Sequence, residues 1–303
     1  MVGPDDDDAS ATPVGSGSAG AHALDPGAPA PEPSYRRFDC TGTDAAVLAE
    51  ATESARTAVE AGECIVLPTD TVYGIGADAF SAEAVQRLLD AKMRGRDMPP
   101  PVLIGDPSLI RALATDVPDG AKELVARHWP GPLTVICKIQ PSLRMDLGDT
   151  EGTIALRVPD HELAREILRR TGPMAVSSAN LSGKPAALSC DEAVDQLGER
   201  VAVYLDGGSL ATTGGAPSTI VDFTQHDQGE VLRRGALGLD VLRLTLPGLV
   251  DLTEPEPEAL AEPEPGPHDE PEPGLPDEPG APAERAAQPP ADPDDAPRPT
   301  ASG

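Results

Sequence analysis

The chain has 303 residues, only 2% aromatic, with 35 prolines, 30 glycines and a formal net charge of −28. No apolar run approaches the length of a membrane span, so none is expected. An acidic balance also speaks against tight nonspecific binding to a nucleic-acid backbone, which needs Lys and Arg to displace counterions.

The charge is unevenly spread. Residues 1–34 hold −6 and residues 251–303 hold −13, leaving −9 for the stretch between. The first 34 residues are Asp, Ala, Gly, Ser and Pro without apolar periodicity, and are expected to be a disordered acidic extension. Residues 251–303 are expected to be a disordered, Pro/Glu-rich acidic tail. Residues 35–250 then form one folded domain. Asp5 to Asp8 stand where a secretion signal would carry positive charge and an apolar segment. Cys40, Cys64, Cys137 and Cys190 are widely spaced, with no CxxC and no nearby His. That pattern implies a reducing, cytoplasmic setting rather than a zinc site, with Cys64 and Cys137, in apolar strand-like runs, as buried thiols.

In chain order, Thr43 and Asp44 offer N-caps to a helix reaching about Ala61, with Val47, Leu48, Ala51, Ala55, Ala58 and Val59 in helical spacing. Cys64 to Leu67 reads as a short buried strand stopped by Pro68. A polar turn then carries Thr69, Asp70, Thr71 and Tyr73, with Gly74 and Gly76 allowing a sharp bend or a close ligand approach. Ser81 caps a helix with Ala84, Val85, Leu88, Leu89 and Ala91 on its apolar face, ending near Lys92 and Arg94. A strand at 101–105, short helices at 107–114 and 122–128, and strands at 133–139 and 153–158 follow. A helix from Asp160 or His161 buries Leu163, Ala164, Ile167 and Leu168 and is closed by Gly172. Then come a strand at 174–177, a helix at 191–197, and strands at 201–205, 218–222 and 230–233, the last two joined as a hairpin. Strands and helices mostly alternate, while 133–139 and the closing pair look antiparallel. The fold class is therefore α/β, with one twisted, mixed parallel/antiparallel sheet and flanking helices.

Two polar turns concentrate the chemistry. Ligands usually bind outside the carboxyl ends of strands in open α/β sheets, where Thr69 to Tyr73 fall. Lys92 and Arg94 add a point charge and a planar fork of donors, which suits a polyphosphate. Cations at a helix C-terminus are also favoured by the macrodipole alone. There is no GxxxxGK[ST], and no GxGxxG follows a strand, so any ATP site must be assembled from separated strand ends. Downstream, Met174-Ala-Val-Ser-Ser-Ala-Asn-Leu-Ser-Gly-Lys-Pro185 again runs from an apolar strand into a small-residue turn.

Those turns, together with Trp129-Pro-Gly-Pro-Leu-Thr134, Ala155-Leu-Arg-Val-Pro159 and Ser218-Thr-Ile-Val-Asp222, resemble in residue and order the YrdC family of L-threonylcarbamoyladenylate synthases. The resemblance runs from about Tyr35 to Leu244 and is to the short bacterial type, which lacks a second C-terminal domain. It implies a single YrdC-like domain around a concave cavity. It also implies a reaction in which ATP, L-threonine and bicarbonate give threonylcarbamoyl-AMP and pyrophosphate, the first step of threonylcarbamoyladenosine formation on tRNA at the adenosine next to the anticodon. A downstream threonylcarbamoyl transferase complex would take the product.

By this resemblance Lys92 and Arg94 match the family's KxR and would hold the triphosphate, while Ser178 and Asn180 match its SxN beside the reacting groups. Thr153 and Arg233 match nucleotide-contacting positions. Thr71, Arg157, Ser178 and Ser218 would contact threonine, with Arg157 on its carboxylate. Mg2+ would travel on the phosphates, with no direct protein ligand expected. Met98 stands where the family often has Lys or Asn, so one nucleotide contact is either missing or supplied by neighbouring Arg96. Two alternatives remain open at this point: a double-stranded RNA-binding or ribosome-assembly module of the same fold, disfavoured by the acidic core, and a paralogue acting on another carbamoyl-adenylate.

Overall fold

A computed structural model describes residues 33–210 and 214–253. The sequence expectations for the acidic extension and the acidic tail fall almost entirely outside these residues.

Among the described residues twelve strands and seven α-helices succeed one another. The first half runs β1 (Arg36–Asp39), α1 (Ala45–Glu60), β2 (Ile65–Leu67), β3 (Gly74–Asp78), α2 (Ala82–Lys92), β4 (Val102–Leu103), α3 (Ile110–Leu113), β5 (Ala114–Thr115) and α4 (Asp119–His128). The second half runs β6 (Leu133–Ile139), β7 (Thr153–Arg157), α5 (Glu162–Thr171), β8 (Met174–Ser178), α6 (Cys190–Leu197), β9 (Val203–Asp206), β10 (Thr219–Asp222), β11 (Glu230–Arg233), α7 (Leu239–Thr245) and β12 (Val250–Asp251). All strands join one sheet in the order β1-β9-β2-β3-β8-β4-β7-β6-β10-β11-β12, with β5 added beside β6.

The caps follow from the sequence. Asp44 accepts from the Ala46 amide at 2.9 Å and starts α1, and Ser81 accepts from the Ala84 amide at 3.2 Å and starts α2. Helix α2 stops at Met93, which takes a left-handed conformation with φ 53° and turns the Arg94 amide back to Leu89 O at 2.9 Å. This αL stop determines where Arg94 leaves the helix.

Alternation along the strands sorts side chains onto two faces. Ile65 and Leu67, with Met174 and Val176, face a core closed by α1 (Ala51, Ala55, Val59) and α5 (Ala164, Ile167, Leu168). Val66, Ala175, Val135, Ile154, Leu156 and Val221 face the opposite core, closed by α2, α4, α6 and α7. The first of these faces is covered over only part of the sheet. Over β7, β6 and β10 the residues that alternate onto it, Thr153, Ala155, Arg157, Thr134, Ile136 and Ile220, line an open cavity instead. A half-covered twisted sheet is what produces the concavity.

Three sequence expectations are corrected. Gly74 to Gly76, read as part of a turn, begins β3, which pairs antiparallel with both β2 and β8. The glycines are there because β8 side chains lie across the strand: a Cβ on Gly74 would sit 2.7 Å from Val176 Cγ1, and one on Gly76 2.7 Å from Met174 Cε. Strand β6 is antiparallel to β7 but parallel to β10, so it is not uniformly antiparallel. Strand β1 and helix α7 were not foreseen. β1 exposes three of its four residues and offers almost no apolar pattern.

Cys64, Cys137 and Cys190 are buried free thiols, and burial pushes each up to about 12. The Gly74→Ala substitution forces a methyl onto a stiff β-branched neighbour. Its urea midpoint is expected to fall by the equivalent of about 1–3 kcal/mol, typical of overpacking; an unchanged midpoint would refute the close-approach account.

Candidate active site

The open half of the sheet holds a cavity of about 260 Å³. Its floor is the exposed face of β7, β6 and β10; one side is the segment joining β2 to β3, and the other is the carboxyl end of β8. Among the described residues the wall carries three arginines, Arg94, Arg157 and Arg233, a set of Thr and Ser hydroxyls, and no acidic side chain.

Each arginine is held differently. Arg157, on the last residue of β7, is 6% exposed. Its Nε donates to Gly131 O at 3.0 Å, Nη1 to Thr71 Oγ1 at 3.0 Å and Nη2 to Asp70 Oδ1 at 2.5 Å. Burial pulls its pKa down while Asp70 opposes that pull. Arg94 donates from Nη1 to Ser177 Oγ at 3.0 Å, and its buried Nε has no partner. Burial lowers its pKa, and Asp97 lies within electrostatic reach without pairing to it. Arg233 stands at the rim, donating from Nε and Nη2 to Ser218 O at 3.1 and 2.9 Å, and from Nη2 to Ser218 Oγ at 3.1 Å. Ser218 Oγ in turn meets Thr134 Oγ1 at 2.8 Å. Desolvation comes first in lowering the Arg233 pKa, followed by the nearby charges of Arg157 and Arg94. The three guanidiniums therefore share one field. Among the described residues only Asp70 forms an ion pair with any of them.

A concentration of cation without matching carboxylate is an unfavourable arrangement unless an anion completes it. Coulomb attraction to a polyanion in such a recess exceeds that at an open surface, because fewer waters screen it.

Seven of the nine residues expected from the sequence line this cavity: Thr71, Arg94, Thr153, Arg157, Ser178, Ser218 and Arg233. Lys92 and Asn180 do not. The Lys92 ammonium is 2% exposed and is enclosed by Ser178 O, by Asn180 O at 2.7 Å and by Asn180 Oδ1 at 3.2 Å. Those three acceptors match its three N–H bonds. Asn180 Nδ2 donates to Leu181 O at 2.9 Å and Lys184 O at 2.7 Å. Burial, then the proximity of Arg94, pushes the Lys92 pKa down to about 8. The two side chains lock the end of α2 to the turn after β8, behind the cavity wall.

Arg96 does not take up the position opposite Met98. It pairs with Asp146, donates to Gln86 Oε1 at 3.2 Å, and is absent from the lining. Sequence reasoning singled out none of Asp70, Gly131, Thr134 and Ser177 as site residues, although each lies inside a motif that it used. Asp70 was the legible one, next to Thr71 in the first polar turn.

Fold and cavity together define an α/β protein with an arginine-lined cavity on the uncovered face of a mixed sheet. The Sua5/YciO/YrdC family model, described as "Telomere recombination", matches residues 57–235, and the chain belongs to that family. It is 51% identical over 202 residues, 67% of this chain and 90% of the relative, to a Mycobacterium leprae protein provisionally named a threonylcarbamoyl-AMP synthase. It is 39% identical over 179 residues, 58% of this chain and 50% of the relative, to the Bacillus subtilis threonylcarbamoyl-AMP synthase. A solved structure of Pyrococcus abyssi Sua5 complexed with L-threonine is similar with a TM-score of 0.64 and 30% identity, over 72% of this chain and 62% of that one.

Replacing Lys92 by Met takes the ammonium donor from Asn180 O and Asn180 Oδ1, while Ser178 O keeps the Asn180 amide at 2.9 Å. Thermal and urea unfolding are expected to show a loss of about 1–3 kcal/mol per unsatisfied group at most, several kcal/mol in all. A Lys92→Met protein as stable as the parent would show that the ammonium is not the tie between α2 and the β8 turn.

Proposed function

We propose that this chain is a threonylcarbamoyl-AMP synthase, an ATP-using nucleotidyltransferase that supplies the activated carbamoyl group for tRNA modification. The carrying observation is the set of three arginines around one cavity with, among the described residues, a single compensating acid. A substrate pair of one polyphosphate and one amino acid provides the missing negative charge. The names of the relatives and the L-threonine complex of the Pyrococcus protein support the same reading.

In this reading the threonine amine bonds to the carbon of bicarbonate and the bicarbonate hydroxyl leaves with an amine proton as water, giving a carbamate. A carbamate oxygen then attacks the α-phosphorus, the bond to the bridging oxygen breaks, and pyrophosphate leaves with that electron pair. Positioning and charge neutralisation are what such a transfer requires of a protein. Arg94 and Arg233 would neutralise the triphosphate, Arg94 with an N–H already free of protein partners. Arg157 would receive the threonine carboxylate, with Thr71 and Ser218 as hydroxyl neighbours. Ser178 would offer its hydroxyl beside the reacting phosphate, and Thr153 a contact on the nucleotide side. Lys92 and Asn180 would act one layer back, by fixing the turn that carries Ser178. Mg2+ would arrive on the phosphate oxygens, since such ions commonly keep waters and few protein ligands. The product would pass to a separate transferase acting on tRNA.

The test is pyrophosphate release by the purified chain with ATP, Mg2+, bicarbonate and L-threonine, omitting each in turn. Release is expected to require all of them, and Arg94→Ala is expected to lower kcat/KM by about a hundredfold or more, the scale for losing a preorganised charge-stabilising donor. Pyrophosphate release without threonine, or none at all alongside a shift of double-stranded RNA at physiological salt, would overturn the reading. No such RNA shift is expected, because the cationic groups sit inside a recess rather than along a surface track.

A further inference from the structure

We propose that Asp70 is the positioning residue of the amino-acid end of the cavity, acting through Arg157 to separate the carboxylate substrate from the polyphosphate. The proposal rests on the assignment of that end to L-threonine made above.

Asp70 does not line the cavity. Its side chain is 14% exposed, against 7% for Arg157, and the two meet at 2.5 Å behind the wall. With Thr71 Oγ1 and Gly131 O, Asp70 uses three of the five N–H bonds of the guanidinium. One N–H remains on each terminal nitrogen, the number a carboxylate takes in a two-point contact. The segment joining β2 to β3, the link after α4 and the end of β7 thus converge to fix one plane. Thr71 is fixed in the same network, since its hydroxyl also lies 3.0 Å from Thr69 Oγ1.

The second effect is on charge. Arg94 and Arg233 face the cavity without an ion pair, whereas Arg157 is neutralised in place. A polyphosphate is drawn most strongly to uncompensated cations, while a singly charged carboxylate can be held by directed N–H bonds to a compensated one. Asp70 therefore makes two kinds of arginine out of three identical side chains. Without it, Arg157 would be a third uncompensated cation, and a phosphate group would compete with threonine for it.

The experiment is a double-mutant cycle on the full chain with Asp70→Asn, Arg157→Gln and the pair together. Pyrophosphate release would be read against threonine and ATP separately, and L-threonine binding by calorimetry. Asp70→Asn is expected to raise the KM for L-threonine about ten- to a hundredfold, the scale for losing a hydrogen bond to a charged group. The KM for ATP should stay within about threefold, and excess ATP should become competitive with threonine. Asp70→Asn should add nothing further in the Arg157→Gln background, because interacting residues are not additive. Should Asp70→Asn alone fail to fold, the double variant, which carries no unpaired buried charge, is expected to fold and to match Arg157→Gln. An unchanged KM for threonine, an equal rise in both KM values, an additive cycle, or a double variant that fails to fold or falls below Arg157→Gln would each overturn the proposal. Absence of threonine-dependent release from the unmutated chain would instead sink the synthase reading, and the calorimetric comparison would then decide the role of Asp70 alone.

Discussion

A lysine ammonium removed from water must find an oxygen for each N–H, and Lys92 does so by reaching from the end of α2 to the backbone turn after β8. The rest of the site depends on that tie. It fixes the turn carrying Ser178, and it sets the end of α2 so that the left-handed stop at Met93 delivers Arg94 onto Ser177. Substituting a hydrophobe for a buried ion is often harmless when its partner ion goes with it. Here two of the three partners are backbone carbonyls, which cannot be removed.

Topology supplies the second constraint. One face of the sheet is closed by α2, α4, α6 and α7, while α1 and α5 close the other only over the β1 to β4 side. The bare remainder, β7, β6 and β10, must then be polar, and its alternation places hydroxyls and arginines on the open face with Val135, Ile154, Leu156 and Val221 beneath. No glycine-rich phosphate loop is needed, because the donors come from side chains projected by a rigid sheet.

Much of this was legible in the residues. Capping residues Asp44 and Ser81, the helical spacing of α1, α2 and α5, and the alternation of elements all follow local rules and hold in the fold. Seven of the nine expected site residues meet in one cavity, since the motifs that carried them lie at strand ends and on strand faces. The misreadings share a cause. Gly74 and Gly76 look like a turn by composition, but what demands glycine there is Val176 and Met174 lying across the strand from β8. Lys92 looks like a helix-terminal cation suited to a polyphosphate, but its acceptors lie more than eighty residues away. The partner of Arg157, Asp70, lies at the same kind of separation and was not foreseen. Local patterns report propensity; a long-range partner leaves no trace in them.

The central claim is that compensated and uncompensated arginines divide one cavity between two substrates. The most direct measurement is a crystal structure of the chain with L-threonine and a non-hydrolysable ATP analogue. The account predicts the threonine carboxylate on Arg157 and Thr71, with the phosphates against Arg94 and Arg233. Phosphate oxygens bound to Arg157, or a triphosphate seated outside the cavity altogether, would contradict it.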